Sequence, residues 1–172
     1  MALIVETGTS SATAESYASV AQADTYHSNH GNAAWAAVAL EADKEIALRK
    51  ATQYIDTRNS HRWIGKRSNA AQALDWPRSG VQDYDENWLA SSEMPQALLD
   101  ATMILALAAL TEDLYPSVDA NEGAVTVDKI VVGPIEILQE FGAGGAGAVK
   151  EYRLADGLLQ QYTYSGGRLE RG

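Results

Sequence analysis

Cysteine is absent from this 172-residue chain, which removes disulfide frameworks, thiolate zinc sites and thiol nucleophiles together. Whatever chemistry the chain performs must use oxygen, nitrogen or backbone groups. The nucleophile elbow G-x-S-x-G is also absent, and the three histidines offer no triad logic, so an enzyme is not expected. No cofactor is called for either. The apolar runs fall short of the ~20 residues a membrane span needs. Met1-Ala2-Leu3-Ile4-Val5-Glu6 lacks the basic region and the length of a signal peptide, so nothing here is expected to direct the chain out of the cytoplasm in which it is made. No internal repeat of fixed period is visible.

What is present is mostly acid. The net charge is −10, yet residues 44–78 carry eight of the thirteen Lys and Arg against Glu45, Asp56 and Asp75, a local +5. The rest of the chain sums to −15. Phosphate binding needs basic surface, so this balance argues against a general nucleic-acid coat while leaving room for one local basic contact.

Read in order, Leu3-Ile4-Val5 before Gly8-Thr9-Ser10-Ser11 suggests a strand-like arm feeding a loop. Ser19 and Gln22 have the spacing of a capping box and predict a helix over about Val20 to Asn29. Ala33 to Leu40, around Trp35, reads as a short helical turn. Asp43 is expected to cap a second long helix to about Arg58, with Ala47, Leu48, Ala51, Tyr54 and Ile55 inward and Arg49, Lys50, Gln53 and Asp56 outward. Pro95 suits the first turn of a central helix, apolar nearly all round, ending near Glu112. Segments 124–132 and 135–141 flank Gly133-Pro134 and predict a β-hairpin or extended strands. A short helix is expected around Tyr152 to Gln161. The fold class is therefore mainly α: a bundle of about four helices, with a β-hairpin or extended strands near the C-terminus and extended terminal arms. The corresponding divisions are an arm over 1–18, the bundle over 19–116, the hairpin region over 117–141, and a Gly-rich linker with docking tail over 142–172.

Several local patterns invite chemistry. Gly142, Gly144 and Gly147 satisfy G-x-G-x-x-G, but no βαβ unit follows, so a linker is the better reading. Asp24, His27 and His30 lie three apart and could share a helix face around a divalent metal, yet no fourth ligand is evident and partly exposed helix-end histidines are preferred. Asp83, Asp85 and Glu86 lack calcium-loop spacing and read as a solvated turn, with Val81–Leu89 passing between two short apolar contacts. Arg58, Arg62, Lys66 and Arg67 around Trp63 form the strongest charge signal, offering cations for a backbone and a ring for a base. A loop that docks on an acidic protein partner competes with that reading and is preferred on charge. Trp76, Pro77, Arg78 and Gly80 read as a rigid corner pinned to the core by its tryptophan.

Ser16-Tyr17, Ser19-Val20, Ala23-Asp24, Tyr26, Trp35, the run Ala51-Thr52-Gln53-Tyr54-Ile55-Asp56, the corner Ala73-Leu74-Asp75-Trp76-Pro77-Arg78-Ser79-Gly80, and Met94-Pro95-Gln96-Ala97 carry a resemblance. Over roughly residues 1–140 the chain resembles small tailed-phage proteins often labelled DnaT-like single-stranded DNA-binding proteins, and is similar to head-to-tail connector, or adaptor, proteins. The resemblance implies a ring, usually of twelve subunits, in the virion neck beneath the portal. Its expected partners are further copies of the chain, the portal protein, a tail or nozzle protein, and genomic DNA sliding through an acidic lumen without sequence-specific binding. A single-stranded DNA-binding accessory protein is the alternative it leaves open.

Overall fold

Ser19 and Gln22 open the first helix by mutual capping: Gln22 N donates to Ser19 Oγ at 3.2 Å and Ser19 N donates to Gln22 Oε1 at 2.8 Å. Two amides that the first turn leaves unpaired are thereby satisfied. Helix α1 then spans Val20–Asn29, as the spacing predicts. These coordinates are a computed structural model describing residues 2–115, 128–132, 135–139 and 151–164, with backbone alone for the two middle segments.

The single turn α2 (Ala33–Ala36) follows, its Trp35 ring buried and its Nε1 donating to Asp24 Oδ1 at 2.7 Å. Helix α3 (Glu41–Asn59) begins two residues before Asp43. Its N-cap is Leu40, which offers no side-chain acceptor; Glu41 and Asp43 instead place negative charge in the first turn, where the helix dipole favours it. Ala47, Leu48, Ala51, Tyr54 and Ile55 are buried as expected from the 3.6-residue period. Thr52 and Asn59 join them, and Asn59 Nδ2 donates to Ile55 O at 2.9 Å, so its amide is not orphaned.

Helix α4 (Gln96–Ala109) packs against α3, α5 (Arg153–Leu159) and α1. Pro95 sits one position earlier than expected, as the N-cap with φ −59° and ψ 136°, and the helix ends three residues before Glu112. Leu98, Ala101, Met103, Leu105, Ala106 and Ala109 are buried. Removing each leucine from water contributes roughly 1.5–3 kcal/mol, which makes α4 the principal apolar contributor to the core. Helix α5 runs into the 3₁₀ turn Gln160–Tyr162. Side-chain bonds help to tie the returning chain to this core. Tyr152 Oη donates to Glu112 Oε1 at 3.1 Å, and the Arg58 guanidinium grips Asp156 with two bonds of 3.0 Å. Residues 152–164 are thus part of the helical unit rather than a tail, because Ala155, Leu159 and Tyr162 supply apolar groups that the core buries.

The N-terminal segment also departs from the expected free arm. Glu6, Ala14, Ser16, Tyr17 and Ala18 are buried, and a parallel bridge joins Val5 to Ser16. The Glu6 carboxylate explains the compactness, since Oε1 accepts the amides of Gly8, Thr9 and Ser10 at 2.8, 2.7 and 3.1 Å while Oε2 accepts that of Ser11 at 2.7 Å. Four donors around one anion fold residues 6–11 into a closed loop.

A two-residue ladder joins β1 (Lys66–Arg67) antiparallel to β2 (Arg78–Ser79), pairing Lys66 with Ser79 and Arg67 with Arg78. A second, separate unit spans Tyr115–Glu151 and contains the expected hairpin, β3 (Asp128–Val132) with β4 (Ile135–Gln139), in antiparallel register from Asp128–Gln139 to Val132–Ile135. That register puts Ile130, Val132, Ile135 and Ile137 on one face. The glycines at 142–147 lie outside the described residues. The chain is mainly helical, with five α-helices among the described residues.

Candidate functional site

The Trp76–Pro77 corner buries Trp76, Pro77 and Arg78 and leaves Gly80 exposed. Trp76 is fully buried, its ring edge-on to Trp63 and Tyr162 at centroid separations of 5.7 and 5.4 Å. The Trp76–Pro77 bond is cis. Arg78, although charged, is buried, and its guanidinium donates to three carbonyls: Ile64 O at 2.9 Å, Gly65 O at 2.9 Å and Asp75 O at 3.1 Å. The rigid fork of donors suits this span of backbone, which a lysine could not cover in the same way.

Beneath the corner lies a half-buried acid, Asp56, that the sequence reading placed on the solvent face of its helix. Tyr17 Oη donates to Asp56 Oδ1, Asp75 N donates to Asp56 Oδ2 at 3.2 Å, and Trp76 N donates to Tyr17 Oη at 3.2 Å. Burial is the main cause that pushes the Asp56 carboxyl up from 3.8 to about 7, with the neighbouring Asp75 charge adding to it. Burial likewise drives the Tyr17 hydroxyl well above its ordinary value. The helical period alone gave no sign of Asp56, because its partners come from residues 17 and 75.

The basic segment does not form the platform its composition suggested. Trp63 is 4% exposed and packed on Trp76, so no base can stack on it. Its run of cations is dispersed: Arg58 pairs with Asp156, and Arg67 donates to Gln72 O. Arg62 and Lys66 are exposed, with the Arg62 carbonyl accepting Tyr164 N at 2.7 Å. The histidine face is also committed elsewhere. Asp24 Oδ1 accepts from Trp35 and from Lys44, each at 2.7 Å. His27 is buried, with Nε2 3.1 Å from Met103 O and Nδ1 3.0 Å from Asn32 Nδ2, and His30 Nδ1 lies 2.8 Å from Tyr26 O. Among the described residues no group of three or more His, Asp or Glu is placed to hold a metal.

The acidic turn after the corner, whose long loop reads in the sequence as a presented surface, borders an open groove of about 480 Å³ lined by Ile64, Gly80, Gln82, Tyr84, Trp88 and Thr163, with Asp83, Gln160 and Gln161 completing it. Tyr84 and Trp88 are 72% and 70% exposed, so Trp88 makes no buried apolar contact of the kind expected for it. The loop that carries them is nevertheless fixed. Asp83 Oδ1 accepts the amides of Asp85 and Asn87 at 2.9 Å, Gln82 bridges to Trp88, and Leu89 N donates to Val81 O at 3.0 Å. These bonds to backbone and to the Asn87 side chain hold the Asp83 carboxyl below its usual value. The sequence signal for the exposed rings was two aromatics set among Asp83, Asp85 and Glu86, a neighbourhood too polar to bury them.

The chain therefore presents two exposed aromatics, Tyr84 and Trp88, on an acidic loop whose backbone is held by Asp83. No helix among the described residues is long and apolar enough to cross a membrane. No curated protein and no solved structure is significantly similar to the chain. Its whole length, residues 1–172, does match one family, and the chain belongs to that family, described as "Putative DnaT-like ssDNA binding protein".

Proposed function

We propose that the protein is a structural virion subunit, the head-to-tail adaptor of a tailed phage, which repeats as a ring between portal and tail and lets DNA pass through its lumen. The observation that carries this reading is the rigid presentation of Tyr84 and Trp88, each about 70% exposed, on a loop fixed by Asp83. Large aromatics held out on an ordered frame are the usual anchors of protein interfaces. Further support comes from the residues of the Trp76–Gly80 corner and the Met94–Ala97 helix start, which carry the resemblance to such adaptors. A charge of −10 suits a wall that DNA slides past by repulsion. Ring subunits associate head to tail, so two different faces must be complementary. Sizing and negative-stain imaging of the purified chain, with and without portal protein, test this. A ring, or a complex with portal, is expected; a monomer that never associates with portal or virions overturns it.

A second reading, a single-stranded DNA-binding accessory protein, is favoured by the family's description and by exposed Arg62, Lys66 and Arg67. The burial of Trp63 takes away its stacking surface. Salt-dependent oligonucleotide binding that weakens in Arg62→Ala, Lys66→Ala and Arg67→Ala would favour it over the adaptor.

A further inference from the structure

The groove beside Tyr84 and Trp88 has walls of two kinds. One is aromatic, formed by Tyr84 and Trp88 together with Asp83; the same loop carries Asp85 and Glu86 just outside the lining, both exposed and in no ion pair among the described residues. The other is neutral, with Ile64, Gly80, Gln160, Gln161 and Thr163. Each wall selects a part of a ligand. Electron-rich ring faces next to free carboxylates attract a cationic side chain and repel a phosphate. The Gln160 side-chain amide can pair with the main chain of an extended segment, Gln161 Nε2 and the Thr163 hydroxyl already donating to Leu158 O and Gln160 O, and Ile64 offers contact for an apolar side chain.

From this complementarity we infer that the groove seats an extended segment of a partner protein in which an arginine or lysine stands beside an apolar residue. The cation lies over Tyr84 or Trp88 and against Asp85 and Glu86; the neighbouring alkyl group lies toward Ile64. Asp83 takes no direct part, because its carboxylate is spent on the amides of its own loop. This deepens the adaptor reading by giving the chemistry of one partner, and depends on that reading only for where the partner sits.

The protein supplies its own reporter. Of its four tryptophans, Trp35, Trp63 and Trp76 are buried and Trp88 is exposed, so acrylamide quenching of tryptophan emission reads Trp88. The full chain is titrated with a blocked glycine-flanked peptide of alternating arginine and leucine, with its glutamate counterpart, and with oligo-dT. Saturable protection by the cationic peptide alone is expected, with affinity about tenfold weaker in Tyr84→Ala and in the double variant Asp85→Asn/Glu86→Gln, both of which leave the reporter and Asp83 in place. Equal protection by the acidic peptide, protection by oligo-dT instead, or none by the cationic peptide overturns the inference. Oligomeric state is measured on the same samples. Peptide binding without rings removes the adaptor reading and keeps the groove; rings without peptide binding do the reverse.

Discussion

Arg78 holds Gly65 in a conformation that only glycine fits: its Nη2 donates to the Gly65 carbonyl at 2.9 Å, and Gly65 has φ +73°. A Cβ at Gly65 would lie 2.4 Å from Ser79 O, on the strand next to Arg78. The turn at 64–65 and the strand at 78–79 are therefore fitted to each other through backbone.

That fit separates two glycines of similar geometry. Gly65→Ala should cost roughly 2 to 4 kcal/mol, because a left-handed strain and a backbone clash add. Gly80→Ala shares the positive φ, +72°, but its Cβ would meet nothing within 4 Å, so about 1 kcal/mol is expected. Urea midpoints of the two variants check the difference; equal losses would mean the Ser79 contact is easily relieved.

Replacing Arg78 by lysine should lower stability by roughly 2 to 4 kcal/mol, since a single ammonium cannot serve carbonyls of residues 64, 65 and 75 together, and hydrogen bonds to charged groups each contribute about 1.5–3 kcal/mol. Denaturant unfolding of Arg78→Lys is the measurement. A midpoint within error of the parent would mean the guanidinium fork is dispensable.

Trp76→Ala should lower the stability of the subunit by roughly 3 to 5 kcal/mol, as for other buried aromatics. Near-ultraviolet circular dichroism and thermal unfolding report it. Unchanged stability with lost assembly would instead assign Trp76 to an interface.

Stability should also depend on pH through Asp56. Its carboxyl titrates near 3.8 in an open chain and at about 7 when folded, so the folded chain retains a proton that the unfolded chain gives up. The resulting stabilisation is fully present below about pH 3.8 and is lost as pH rises through 7, on the order of 4 kcal/mol across the window. Asp56→Asn should flatten this slope relative to the parent between pH 4 and 8. Parallel curves for the two proteins would place the ionised carboxylate in the native state.

The sequence was most legible where the determinants were local. Ser19 and Gln22 lie three residues apart, and α1 starts and stops where they indicate. The apolar stripe of α3 and the two strands about Gly133-Pro134 rest on equally short-range periods. Legibility fell where residues far apart share one group. Asp56 depends on Tyr17 and Asp75, and Trp63 is drawn inward by Trp76 and by pairing with Thr163. Composition offered Trp63 as a stacking ring, and tertiary pairing buries it, whereas Trp88 in the acidic turn is the exposed ring.

The two ends of the segment between α4 and α5 are stapled independently of whatever lies between them. Glu112 bonds Tyr152, and Arg58 bonds Asp156, so the helical unit closes its own seam. Because loop-closure entropy rises only slowly with length, that closure depends little on how many residues join Glu112 to Tyr152.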